Sequence, residues 1–425
     1  MLKKSKTYIA VLLAVVMALA TILPAMASAP GGSGPLTSND KDNPVRASIA
    51  KKLDMPIGTI TPTARFTFHA VAMEHNTGDG LGPTLGPWHV DFSSANVADE
   101  TKAENGLVSV VLETVNIFDG VTFPAAGIYK YEITEQDKTN QPIDDDDNQR
   151  LDYSTAKYII YVYVENAGNE TFVAGLGTFV EEVDNDNQVK GEKVDPTPDG
   201  GNEHDHSQIV FTNTYVKLNP PTDPVVNPTL AVEKQVIGNL ANKEHYFSFD
   251  IKVDLSPLLL ETMRGDYFRA YIVDLAENEV VTNIGENATA GLINAEANPP
   301  YIKVVPGETV DFKLKHNQRL AFVDTPVGAN YVVEEKAAID YIPGVVVLSN
   351  NVETLNRTLE AKNQVLNTGT QLVGVEKNSA VFTNTREDVP PAGLLLANLP
   401  FIMLILLGTL GLGFIVAMKA RRKEA

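Results

Sequence analysis

The chain has 425 residues, with 34 Lys and Arg against 54 Asp and Glu, a formal charge of -20 and no cysteine. Missing cysteine excludes disulfides, thiolate zinc sites and cysteine nucleophiles, and the acid excess argues against nucleic-acid binding, which needs Lys and Arg on phosphates. Hydrophobic content of 44% with 21% charged residues indicates packed domains, two or three at this length.

Residues 1–27 open with Lys3, Lys4 and Lys6, continue through an apolar run from Tyr8 to Leu23, and reach Ala25-Met26-Ala27. That order is the pattern of a secretory signal peptide with a small-x-small cleavage site.

From residue 45 the pattern changes to short apolar alternations between turn residues. Phe66–Val71, Lys157–Val164 and Tyr331–Glu334 are rich in aromatic and β-branched residues and bounded by Gly, Pro, Asn and Asp. No long 3.6-residue period appears, so an all-β fold of two tandem Ig-like β-sandwiches is expected, at 45–217 and 229–387. The Pro-rich stretch 218–228 between them reads as a stiff, extended linker. The long segment Ala72–Val110 is a place where a ligand-binding insertion would fit.

The halves repeat one another. Each opens on a Lys-bearing strand, Ala47–Leu53 and Leu230–Val236, followed by Phe-x-Phe at Phe66 and Phe68 and at Phe247 and Phe249. Each then has a Gly shortly before a Tyr and a Glu, namely Gly127, Tyr131 and Glu135, then Gly328, Tyr331 and Glu335. Each closes on the same string, Val210–Thr214 and Val381–Thr385. The order Lys, Glu, Asn thus occurs as Lys51, Glu135, Asn213 and as Lys234, Glu335, Asn384, with Lys-to-Asn separations of 162 and 150 positions.

Strand alternation puts Lys51 on the face of Ile49 and Leu53, and Lys234 on the face of Val232 and Val236. Asn213 shares parity with Phe211, and Asn384 with Phe382. If the apolar neighbours face a core, Lys and Asn face it too, and first and last strands of a sandwich can lie side by side. Burial lowers the pKa of Lys and raises that of Glu, so proton transfer leaves a neutral amine beside a neutral acid. The amine can attack the Asn carboxamide while the acid polarises the carbonyl and passes protons to the departing ammonia, leaving an amide cross-link. Lys52 points to the other face and is the less suitable amine.

At the far end, Val389-Pro390-Pro391-Ala392-Gly393 precedes an uncharged apolar segment, 394–418, and the basic residues Lys419, Arg421, Arg422 and Lys423. An apolar span with a basic tail is the pattern of a membrane anchor held at its cytoplasmic end. With the pentapeptide, residues 389–425 resemble a Gram-positive cell-wall sorting signal, with Val389 and Ala392 at positions usually held by Leu and Thr. That resemblance implies sortase cleavage between Ala392 and Gly393. A mature chain from about Ser28 to Ala392 would carry 27 basic and 53 acidic side chains, a charge of -26.

Together, the leader, the paired Lys–Glu–Asn sets, the closing Phe-Thr-Asn strings and the sorting signal resemble the streptococcal-type major (backbone) pilins of Gram-positive bacteria. The resemblance implies intramolecular isopeptide bonds from Lys51 to Asn213 and from Lys234 to Asn384, with Glu135 and Glu335 as proton shuttles. It also implies a structural shaft subunit polymerised by sortase with identical subunits and accessory pilins, anchored in the cell wall. No enzyme activity beyond self-linkage, no cofactor and no metal are expected. Polymerisation in this family uses a further lysine late in the first domain, for which Lys193 and then Lys190 are the candidates. The alternative is a monomeric wall-anchored adhesin of the same domains that binds a host surface ligand.

Three other patterns carry less. The carboxylate run Asp144–Asp147 lacks calcium-loop spacing, His204 and His206 lack a third metal ligand, and Gly80–Gly86 carries a proline where a phosphate loop needs free N–H groups.

Overall fold

The computed structural model describes residues 36–73, 81–137, 149–183, 188–200, 205–217, 222–263, 265–387, 401 and 403–405. The leader, the sorting pentapeptide and nearly all of 394–418 lie outside the described residues, as do Asp144–Asp147 and His204. Among the described residues no helix is long and apolar enough to cross a membrane.

Strands dominate, and the longest helical element given by its ends is the single turn and a half Pro257–Glu261, capped by the Ser256 side chain on Leu259 N–H. Among the described residues the strands gather into four sheets and two separate apolar cores. In the first half, a four-stranded sheet orders Leu107–Glu113, Ala50–Pro56, Val210–Lys217 and Gln149–Asp152. It faces a seven-stranded sheet in which Gly127–Glu135 lies between Ala64–Met73 and Lys157–Ala167. In the second half, Leu230–Ile237 and Ser379–Thr385 lie inside a nine-stranded sheet, facing a five-stranded one that carries Phe247–Asp254 and Asn330–Glu335.

Alternation explains which side chains enter. Phe247–Asp254 reads apolar at every second position, and its burial alternates in step through Phe247, Phe249, Ile251 and Val253. Gly328 precedes the Tyr331 and Glu335 strand with φ of +88°, a left-handed turn that favours glycine.

The opening and closing strands of each half pair in parallel, Ala50–Pro56 with Val210–Lys217 and Leu230–Ile237 with Ser379–Thr385. Parallel neighbours need a long crossover, and here each crossover is the whole intervening domain.

One feature differs from the sequence reading. The described part of the Pro-rich stretch is not extended: Asp223 accepts hydrogen bonds from Val225 and Val226 N–H, at 2.7 and 3.2 Å, and folds 223–227 into a turn. An Asp side chain that satisfies the backbone two or three residues on competes with the extended form that proline favours. Within Ala72–Val110, Trp88–Phe92 is a regular edge strand on Ala64–Met73, with Trp88, Val90 and Phe92 in the core.

Candidate functional site

Each core holds one ionic cluster. Lys51 and Lys234 are fully buried, as are Asn213, Asn384 and Glu335, and the Glu135 side chain is equally shielded. Parallel register fixes their relation: Lys51 stands opposite Phe211, two positions before Asn213, and Lys234 stands opposite Phe382, two positions before Asn384. In both domains the amine and the carboxamide are thus diagonal neighbours on the inner face.

The glutamate arrives from the facing sheet. Glu135 pairs in register with Phe68, and Glu335 with Phe249, the second aromatic of each Phe-x-Phe. Lys51 Nζ donates to Glu135 Oε2 at 2.9 Å, and Asn213 Nδ2 donates to Glu135 Oε1 at 3.0 Å. In the second domain Lys234 Nζ stands 2.8 Å from Glu335 Oε1, and Asn384 Nδ2 donates to the same oxygen at 2.9 Å. Glu335 Oε2 and Asn384 Oδ1 are without hydrogen-bond partners among the described residues.

Aromatic rings wall off water. Lys51 Nζ lies 4.8 Å from the Phe66 ring centre; Lys234 Nζ lies 4.4 Å from that of Phe247 and 5.8 Å from that of Phe249. Phe249 packs in turn on Phe312 and Phe382, each with ring centres 5.2 Å away. A ring face attracts a cation, but it solvates charge far less well than water does. Burial accordingly pushes Lys234 down to about 8, with the Glu335 charge opposing the shift, and pushes Glu335 above its ordinary range against Lys234 and Asn384. These directions favour a neutral amine beside a neutral acid.

The shifts set a pH dependence for an uncross-linked domain. In an Asn384→Ala chain, Glu335 keeps its proton above the 4.5 at which the unfolded side chain loses it, so stability falls as pH rises from 4.5 to the raised value. Lys234 loses its proton near 8, whereas the unfolded side chain holds one until 10.5, so stability rises again across that window. Denaturant unfolding of that variant across pH checks both limbs.

Lys52 faces outward as alternation requires, 3.3 Å from Asp54. Lys190 is well exposed and pairs with Glu181 at 3.2 Å. Lys193 begins the two-residue strand beside Thr178 and Phe179, and partial burial lowers its pKa against the pull of Asp195. Val389 to Gly393 lie outside the described residues. His206 Nδ1 is 2.9 Å from Ser207 O, and no group of three metal-ligating side chains occurs among the described residues.

Sequence reasoning used Phe-x-Phe only as a landmark. The rings are part of the site, and their period-two spacing in both halves was the available signal. It missed Ser154, whose backbone N–H donates to Asn213 Oδ1 at 2.7 Å, because a main-chain donor has no sequence signature.

This arrangement brings an amine, a carboxyl group and a carboxamide together in each apolar core. Residues 47–216 match the family described as "Spy0128-like isopeptide containing domain", and residues 228–386 match a family described as "Domain of unknown function (DUF7601)". The first of these matches makes residues 47–216 similar to that isopeptide-containing family, and it covers this domain rather than the whole chain. No curated protein matches the chain. The crystal structure of the major pilin from Streptococcus pyogenes is 18% identical, covering 81% of this chain and 100% of its own, with a TM-score of 0.31. The major pilin T3.2 from the same species is 18% identical over 81% of this chain and 98% of its own, with a TM-score of 0.29. Such whole-chain scores add no argument, and the weight rests on the family match.

Proposed function

We propose that this chain is the repeating shaft subunit of a covalently polymerised, wall-anchored pilus, each of whose domains is stapled by a Lys–Asn isopeptide bond. The observation that carries the reading is the duplicated cluster: two buried Lys–Glu–Asn sets at the same register offset, each on the first and last strands of its domain. A structural ion pair would need no carboxamide at that diagonal in both copies.

The glutamate takes the proton of the lysine ammonium, and the neutral amine attacks the carboxamide carbon. The acid returns a proton to the departing nitrogen and the lysine nitrogen gives one back to the glutamate. An amide forms, the Asn carbon–nitrogen bond breaks, and one ammonia leaves. The glutamate, a carboxylate at the start, ends as the neutral acid; because the amine and the carboxamide are consumed, the reaction is a single self-modification and the protein is a sortase substrate rather than an enzyme. Because the bond joins strands at the two ends of the domain sequence, tension entering at one end passes to the other through covalent bonds. The hydrogen-bonded sheets between them carry no load.

Polymerisation adds the sorting signal, with cleavage after Ala392, and a lysine amine of the neighbouring subunit, for which Lys193 is favoured over Lys190 because Lys190 is held in an ion pair with Glu181. Wall extracts of the producing cell, boiled in SDS and blotted for this chain, should give a ladder of high-mass species. A single band would contradict the shaft role and favour a monomeric adhesin.

A further inference from the structure

The two clusters differ at one atom. Asn213 Oδ1 accepts the Ser154 N–H at 2.7 Å, whereas Asn384 Oδ1 has no hydrogen-bond partner among the described residues. Sheet register explains the difference. In the first domain the ladder between the closing strand and Gln149–Asp152 stops at Thr214 opposite Asp152. Two residues on, the chain has turned, with Ser154 Oγ accepting from Ala156 N–H at 3.2 Å and Ser154 N–H aimed into the cluster. In the second domain the corresponding ladder continues, with Pro343 opposite Asn384 and Gly344 opposite Thr383. Pro343 has no N–H to offer.

We infer that the Ser154 backbone N–H is an oxyanion donor for the first-domain linkage, a catalytic group with no counterpart among the described residues of the second domain. This rests on the Lys–Asn reading above. The donor also fixes which way the Asn213 amide faces: only its oxygen can meet an N–H, so its nitrogen must be the atom 3.0 Å from Glu135 Oε1.

Roles then divide cleanly in the first domain. Neutral Lys51 Nζ forms a bond to Asn213 Cγ, and the carbonyl electron pair moves onto Oδ1, where the Ser154 N–H stabilises the negative charge. Glu135 works only on nitrogens: Oε2 takes the proton that Lys51 sheds, and Oε1 delivers one to Asn213 Nδ2. The Cγ–Nδ2 bond breaks, the carbonyl re-forms and ammonia departs. In the second domain Glu335 must serve the carbonyl and the leaving nitrogen alike, so the first linkage closes faster than the second.

The test is a time course of cell-free synthesis of the full chain, quenched in acid and read by peptide mapping for the 51–213 and 234–384 cross-linked peptides. The parent chain is expected to close 51–213 first. Replacing Ser154 by its α-hydroxy acid changes one backbone N–H to oxygen and should slow 51–213 closure by about 100-fold or more, as loss of one oxyanion donor does elsewhere. The 234–384 rate should not move.

Parent-like 51–213 closure in the ester chain would overturn the inference. So would rapid hydrogen exchange at the Ser154 amide in a Lys51→Ala chain, which measures the contact without the ester chemistry. If the parent forms neither linkage, the underlying reading fails first and visibly, before any variant is compared.

Discussion

Glu335→Ala should leave the chain heavier by one ammonia, with the 234–384 linkage lost and the 51–213 linkage intact. Glu335 is the only acid within reach of both Lys234 and Asn384 among the described residues, at 2.8 and 2.9 Å, and Ala can neither accept the lysine proton nor pass one on. Two losses of stability coincide. Without the linkage Lys234 is left as a buried amine with no acid beside it, and leaving a buried ionisable group unpaired typically costs about 3–5 kcal/mol. Opening a covalent loop of some 150 positions returns chain entropy to the unfolded state, on the order of 4–5 kcal/mol by analogy with a disulfide. At about 2–4 °C per kcal/mol for a domain of this size, the second-domain transition should drop by roughly 15 °C or more. Calorimetry on Glu335→Ala and on Glu135→Ala checks both, and each change should move its own domain only. A Glu335→Ala chain that still lacks the ammonia would remove the glutamate from the chemistry.

Phe249→Ala should have a comparable effect without touching any reacting group. The ring is fully buried, packs on Phe312 and Phe382, and stands across the register from Glu335. Its loss opens a cavity worth about 3–5 kcal/mol and brings water within reach of Lys234, 5.8 Å from the ring centre. Hydration restores the charged forms, so the Lys234 pKa should climb back from about 8 and the amine become a poorer nucleophile at neutral pH. Peptide mapping should find the 234–384 linkage slowed or absent in Phe249→Ala and largely retained in Phe249→Leu, which keeps the wall apolar. Linkage at the parent rate in Phe249→Ala would show that dryness is not what activates the amine.

Much of this site was legible because the features that define it are periodic. Alternation alone put Lys51 with Ile49 and Leu53 on an inner face and Lys52 outside, and the repeat supplied a second, independent instance at Lys234. That the opening and closing strands can lie side by side was expected of the fold, and their parallel direction is what the register adds. What the sequence did not carry was sheet membership. The opening and closing strands sit in the smaller sheet of the first domain and in the larger sheet of the second. Strand periodicity is the same in either sheet, so nothing local distinguishes the two. The turn at Asp223–Asn227 was hidden because proline spacing suggested an extended chain, while the deciding contacts are Asp223 side-chain bonds to backbone. Ser154 was invisible for a related reason: its contribution is an N–H that every residue but proline has, and only the end of a ladder at Asp152 turns it inward.

The missing cysteines acquire a meaning from the same geometry. On the proposed reading, a chain that can form no disulfide has, in each of its two cores, the reactants for a different covalent staple beside the Phe-x-Phe rings, and closing it would need no oxidant and no partner enzyme.

The most direct measurement is the intact mass of the chain from Ser28 to Ala392, set beside that of Glu135→Ala, Glu335→Ala and the double variant. The account predicts a parent mass below the sequence value by two molecules of ammonia, each single variant short by one, and the double variant at its full sequence mass. A parent chain at its full sequence mass would contradict it.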